Sequence, residues 1–304
     1  MAVSAPVATH DEHYARGVTL VLIAGCFWSI AGLVVRLMHE ATEWQILFYR
    51  SLALVVTLLI FIGLRNHGKL IETFLLAGFH AYMAGAFLSI GFACWIFAMT
   101  HTTIANALFV LSAAPFLAAI LARLFLGEKV KRSTWLYMIL ASAGVAVMVG
   151  EGAKIGTLSG NLYALGAAMG FAAFTVTLRK GKAVDMTPAV CWAGIWGTFI
   201  AAFMLAGSQL SFSLSTHDVL LCGLLGFVQV GLGLILFTAG SRYVPAAEIT
   251  LLSLTEVVLG PIWVWIGVGE TPSQLTLLGG AIVLSAIVAQ AIHGVRKRPP
   301  VGVV

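Results

Sequence analysis

Residues 102–132 read TTIANALFVLSAAPFLAAILARLFLGEKVKR. From Thr102 to Phe125 the stretch is apolar, with Arg123 close to its end. It is long enough to cross the hydrocarbon core, which takes about 20 residues of helix. It closes on Gly127-Glu128 and then on Lys129, Lys131 and Arg132. Lys and Arg are retained on the cytoplasmic side of inserted helices. One stretch therefore predicts a membrane span and the side on which it ends.

The same pattern extends in both directions. Apolar runs near 17–38, 44–64, 74–97, 102–125, 133–150, 158–178, 188–207, 217–238, 244–267 and 273–292 read as ten spans joined by short connections. Fourteen of the seventeen basic residues precede the first run, fall in every second gap after it or, in the case of Arg123, stand two residues from the end of the run before such a gap. The intervening gaps hold only Lys154, while Arg36 and Arg50 lie inside runs near their ends. That alternation predicts ten crossings with both termini in the cytoplasm.

Composition points the same way. Of 304 residues, 60% are hydrophobic and 10% charged, more apolar surface than a soluble domain can hide. The net charge of +5 fits cytoplasmic loops against anionic lipid head groups rather than nucleic acid. Residues 1–16, with His10, Asp11, Glu12, His13 and Arg16, read as a solvated cytoplasmic tail and not as a signal peptide. Residues 293–304 read as a second tail. Cys26, Cys94, Cys191 and Cys222 all fall in apolar runs without CxxC spacing, so buried, reduced thiols are expected.

The chain repeats itself. Gly17, Leu22, Ala24 and Arg36 match Gly160, Leu165, Ala167 and Arg179 at a constant offset of 143. Leu111-Ser112 matches Leu252-Ser253, and Gly127-Glu128 matches Gly269-Glu270. The division is 17–150 and 151–292, five spans each, and an odd number of spans turns the second copy upside down. This is the inverted-repeat plan of secondary transporters, with solute bound between the repeats and access alternating by rocking.

Over residues 17–292 the chain resembles the drug/metabolite transporter superfamily in its ten-helix form, built from two EamA-type repeats. The resemblance rests on Phe27-Trp28-Ser29, Tyr49-Arg50-Ser51, Ala114-Pro115 through Gly127-Glu128, and Glu256 followed by Gly269-Glu270. Val257 stands where the family often has Pro after that Glu, and Pro261 is the candidate substitute irregularity. The resemblance implies a carrier of small organic solutes in a bacterial inner (plasma) membrane. It resembles the amino-acid and metabolite exporters in length and compactness, and names no substrate.

Polar residues at membrane depth are costly and usually face a cavity or a partner. Arg50, about 9 Å into its helix, either attracts a substrate carboxylate or clamps a helix end. Glu256 suits a substrate ammonium or a transported proton, or else anchors a helix. Glu248 reads as an interfacial partner of Arg242. His80, beside Tyr82, could titrate near neutrality or simply hold structure. Asn106 and Gln229 bind solute or bridge helices. Trp28 and Trp95 lie deep enough to wall a cavity for apolar, aromatic or cationic solutes, whereas Trp44 and Trp135 begin spans as belt residues. Glu128 and Glu270 read as structural ends of the repeats.

The expected function is secondary transport, most concretely amino-acid export through a central cavity, with protons as a candidate coupling ion. The expected partners are a small-molecule solute, the lipid bilayer and a second copy of the chain as a candidate homodimer. No nucleic acid, cofactor or metal is called for. A multidrug or quaternary-cation exporter is the first alternative. No P-loop is present, and no GxSG, HExxH or close aspartate pair suggests an intramembrane enzyme. A channel or scaffold is the remaining alternative.

Overall fold

The computed structural model describes residues 10–102, 104–150, 158–208, 211–269 and 271–296. Among them, ten helices are long and apolar enough to span a bilayer. These are Glu12–Arg36 (span 1), Glu43–Arg65 (span 2), Leu70–Ala98 (span 3), Asn106–Leu126 (span 4) and Arg132–Val149 (span 5). Leu158–Lys180 (span 6), Thr187–Gly207 (span 7), Thr216–Gly240 (span 8), Ala246–Val268 (span 9) and Gln274–Gly294 (span 10) complete the set. No strand occurs among the described residues. Helix is the expected solution, because lipid offers the backbone no hydrogen-bond partners.

The first helix starts earlier than expected, at His10. Tyr14, read from sequence as tail, is 1% exposed and donates to Glu248 Oε2 at 2.7 Å. Its hydroxyl lies directly against Gly294 of span 10. The charges at 10–16 hid an apolar face, since Tyr14, Val18 and Val21 recur at helical spacing and are all buried. The expected Glu248–Arg242 pair gives way accordingly. Arg242 donates to Val184 O at 2.6 Å and lies 3.9 Å from Asp185, which is itself 3.5 Å from Arg65. Tyr14→Phe strips a donor from a buried carboxylate, so thermal unfolding in detergent should report a loss of about 1–3 kcal/mol. Deleting residues 1–16 should cost more; an unchanged melting temperature for both variants would return the segment to a solvated tail.

Close helix packing is made at glycines. A Cβ on Gly17 would strike Tyr243 and Val244, and one on Gly160 would strike His101 and Thr102. Gly144 and Gly279 bring spans 5 and 10 together backbone to backbone, as Gly91 and Gly170 do for spans 3 and 6. Such contacts carry helix association where lipid removes the hydrophobic drive. Span 2 packs on spans 7 and 8, span 3 on 6 and 7, span 1 on 8 and 9, and span 4 on 6 and 9.

Three spans are broken in the same way. Ile30, Ala113 and Leu254 have ψ values of −12°, −12° and −5° between helical segments. Each follows a serine whose hydroxyl bonds the carbonyl three residues back: Ser29 to Cys26 at 2.7 Å, Ser112 to Phe109 at 2.6 Å, Ser253 to Thr250 at 2.8 Å. That back-bond competes with the helical ladder and bends it. The Leu-Ser pairs matched in sequence are thus the equivalent breaks of spans 4 and 9. In span 9 the irregularity sits at Leu254, before Glu256, and not at Pro261, which lies inside the helix that follows. Spans 4 and 9 also end alike. Gly127 and Gly269 adopt φ 67° and 76°, a left-handed cap that favours glycine.

Candidate functional site

Span 8 is irregular between Leu225 and Leu232, where it widens into a π-helix. Such segments are rare and concentrate at functional sites. Gly226 packs on the carbonyl of Arg50 in span 2. Gln229, 8% exposed, donates to Trp28 O at 3.3 Å, while its buried Oε1 has no partner among the described residues. Gly233, just beyond, receives the Trp28 indole directly on its backbone.

Spans 1 and 2 pack on this segment, and span 9 packs on span 1 beside it. Arg50 holds its guanidinium carbon 4.7 Å from the Phe92 ring centroid in span 3, and its buried Nη2 has no hydrogen-bond partner among the described residues. Ser29, at the span 1 break, accepts from Trp263 Nε1 of span 9 at 2.8 Å. Gly25 lets span 1 approach Thr255 and the backbone N of Glu256, at the span 9 break. Glu256 is half-buried in the first turn after that break, where the helix dipole favours a negative charge. No described side chain forms a salt bridge with it.

Other residues singled out from sequence stand elsewhere. Trp28 is 7% exposed and packs edge-on to Phe171 (5.9 Å between centroids) and tilted against Phe237 (5.2 Å). Trp95 is half-buried in a separate cluster with Ala98, Ala107 and Ala164. Asn106 bridges helices, donating to Thr102 Oγ1 at 3.0 Å and to Asn161 of span 6. His80 is exposed on span 3, as are Leu76 and Phe79 around it. Tyr82, 36% exposed, lies edge-on to Trp192 at 5.4 Å and Trp196 at 6.0 Å. Cys26 is exposed rather than buried as expected, because it lies off the face on which Val18, Val21 and Trp28 pack. Glu270 lies outside the described residues.

On the side of the basic loops, Glu128 and Arg179 form a junction that separate readings of the two residues missed. Arg179 Nη2 and Nε donate to Glu128 Oε1 at 2.6 and 2.9 Å, and Nη1 donates to Ser241 O at 2.9 Å. The second oxygen, Oε2, accepts from Ala246 N at 3.2 Å, in the first turn of span 9. One ion pair thus ties the ends of spans 4, 6 and 8 to the start of span 9. The sequence signal was the matched Gly-Glu itself, whose left-handed glycine turns the Glu back towards its neighbours.

The family model for EamA-like transporters matches residues 15–150 and again 158–290. The chain belongs to the EamA-like transporter family. As an EamA protein of two repeats, it is a small-molecule transporter of the drug/metabolite transporter superfamily. It is 24% identical over 286 residues to the pseudopaline exporter CntI of Pseudomonas aeruginosa, covering 90% of this chain and 95% of that one. It is 30% identical over 181 residues to the uncharacterized transporter YdfC of Bacillus subtilis, covering 57% and 58% of the two chains. The protein RarD of Salmonella typhimurium is 30% identical over 200 residues, covering 63% and 64%. A solved crystal structure shares the fold at a TM-score of 0.77 with 17% identity, over 93% of this chain and 99% of that chain.

Proposed function

We propose that the protein exports amino acids or closely related small metabolites by alternating access, from a cavity between two inverted repeats. The observation that carries the reading is a pair of charged groups within the spans: the Arg50 guanidinium, whose buried Nη2 has no hydrogen-bond partner among the described residues, and the Glu256 carboxylate, which no described side chain meets in a salt bridge. Arg50 stands on span 2, which packs on the irregular part of span 8, and Glu256 on span 9, which packs on span 1 beside it; both signs of charge are what a zwitterion presents. Keeping such groups unpaired is costly in lipid unless a ligand or water meets them.

Inversion of the repeats is supported by the packing. Gly17 contacts Tyr243 and Val244 as Gly160 contacts His101 and Thr102, and the residue offsets are constant within one. Spans 1 and 8 therefore meet as spans 6 and 3 do. The alternating basic gaps favour an inner-membrane orientation with both termini in the cytoplasm. Similarity to an exporter supports the outward direction. Trp28 and Trp95 pack in separate clusters, so the convergence that would favour an organic-cation carrier is lacking.

Proteoliposomes loaded with single amino acids should show saturable efflux. Arg50→Gln, in protein that still elutes as a monodisperse species, should lower it roughly ten- to hundredfold, the effect of removing a charge-assisted hydrogen bond in a desolvated site. If Glu256 carries the coupling proton, Glu256→Gln should make efflux insensitive to an imposed pH gradient. Absence of saturable movement for every amino acid would reject the substrate class. Saturable movement of a quaternary ammonium instead would establish the alternative.

A further inference from the structure

On the face opposite the basic loops, the connection between spans 1 and 2 meets the first turn of span 8. The His39 and His217 rings stack there with centroids 4.8 Å apart and planes 11° from parallel. Asp218 beside them is fully buried, and His217 Nδ1 lies 3.0 Å from its Oδ1. The carboxylate also accepts the backbone N–H groups of His39 (3.3 Å to Oδ1) and Glu40 (3.0 Å to Oδ2). One donor atom from each of the three side chains falls within 4.8 Å of the other two.

We infer that His39, His217 and Asp218 form a binding site for a borderline divalent transition metal of the zinc, cobalt or nickel class. The donor set is the first argument. Two imidazoles and one carboxylate prefer such ions to magnesium or calcium, which take mostly oxygen. Charge is the second. Asp218 is buried with no Arg or Lys within ion-pair distance among the described residues, and the group at ion-pair distance from it is the exposed His217. Capping the 39–40 backbone explains the carboxylate, but it does not explain two imidazoles stacked beside it.

Pre-organisation is the third argument. Asp218 is held by two backbone donors and by the Ser215 hydroxyl, which accepts its N–H at 3.2 Å. That fixes one ligand, and His217 Nδ1, 3.0 Å from its Oδ1, is a second donor at which the ion takes the place of the proton. Donor atoms around a tetrahedral zinc stand about 3.4 Å apart. Both histidines are exposed, so rotation of their side chains closes the remaining gap and water completes the shell. The bound ion would fasten the span 1–2 connection to span 8, the span whose irregular segment meets Trp28 and Arg50.

The test uses tag-free, full-length protein in detergent, titrated with Co2+ and followed by its visible ligand-field absorption, then back-titrated with Zn2+. A saturable band displaced by zinc is expected. His39→Gln and His217→Gln should each weaken binding at least about tenfold, and Asp218→Asn by roughly ten- to hundredfold. The His10→Gln/His13→Gln double variant should bind as the parent does. The two histidine variants alter exposed side chains and keep the test valid if the Asp218 variant does not fold. No saturable band, or parental affinity in the His39→Gln/His217→Gln double variant, would overturn the assignment.

Discussion

Gly170→Val is expected to prevent assembly of the bundle. A Cβ at this position would lie 2.8 Å from the Cα and N of Gly91 and from the carbonyl oxygen of Phe87. All three are backbone atoms, so no rotamer change relieves the clash and spans 3 and 6 must separate. Theirs is the most extensive helix contact in the protein. In lipid that contact depends on close approach, because parted helices are met by acyl chains as apolar as themselves. Overpacking costs about 1–3 kcal/mol and more where backbone must move, a large share of the stability of any domain. The variant should therefore be recovered at low yield and elute as aggregate. Gly223→Ala is the control. It lies in a helix where a methyl group would have no described atom within 4 Å, so alanine should be neutral or stabilising by up to about 1 kcal/mol. Equal behaviour of the two variants would contradict the packing described for spans 3 and 6.

Much of this architecture was legible because lipid simplifies the reading. Span boundaries follow from length and hydropathy, and the ten expected runs agree with the ten helices to within a few residues. The exception is instructive. Span 1 reaches back to His10 because Tyr14 buries its ring and gives its hydroxyl to Glu248, a contact across 234 residues that no local pattern announces. The matched Leu-Ser and Gly-Glu pairs had local causes, a serine back-bond and a left-handed glycine, so sequence alone could find them. Individual polar residues were less legible. His80 and Glu256 look alike as ionisable groups in apolar runs, yet one lies on the exposed side of span 3 and the other at a helix break inside the bundle. Which face a residue takes depends on helix rotation, and these spans have apolar residues all round, leaving no strong stripe to set it. The His39–His217–Asp218 group was invisible for another reason, since it joins the connection between spans 1 and 2 to the first turn of span 8, which only the fold brings together.

Breaking the Glu128–Arg179 junction should be the second large effect, and a double-mutant cycle measures it. The two side chains are 23% and 10% exposed, and three donors converge on the one carboxylate. Glu128→Gln leaves a guanidinium with two backbone carbonyls and no counter-charge. Arg179→Gln leaves a carboxylate with one backbone N–H. Stranding one member of a largely buried pair costs about 3 kcal/mol, which thermal unfolding in detergent would register in each single variant. The Glu128→Gln/Arg179→Gln double variant strands neither charge. Its loss should therefore fall short of the summed single losses by about 1–3 kcal/mol. Additive losses would mean that the two residues act independently and that the junction is not a unit. The same cycle bears on transport, because the junction joins spans 4, 6, 8 and 9 where an inward opening would have to part them. If that opening is the slow step of the proposed cycle, both single variants should lose stability and gain turnover together. Faster turnover in a less stable protein is the signature of a closed-state latch, and a contact that merely held the fold would lower both.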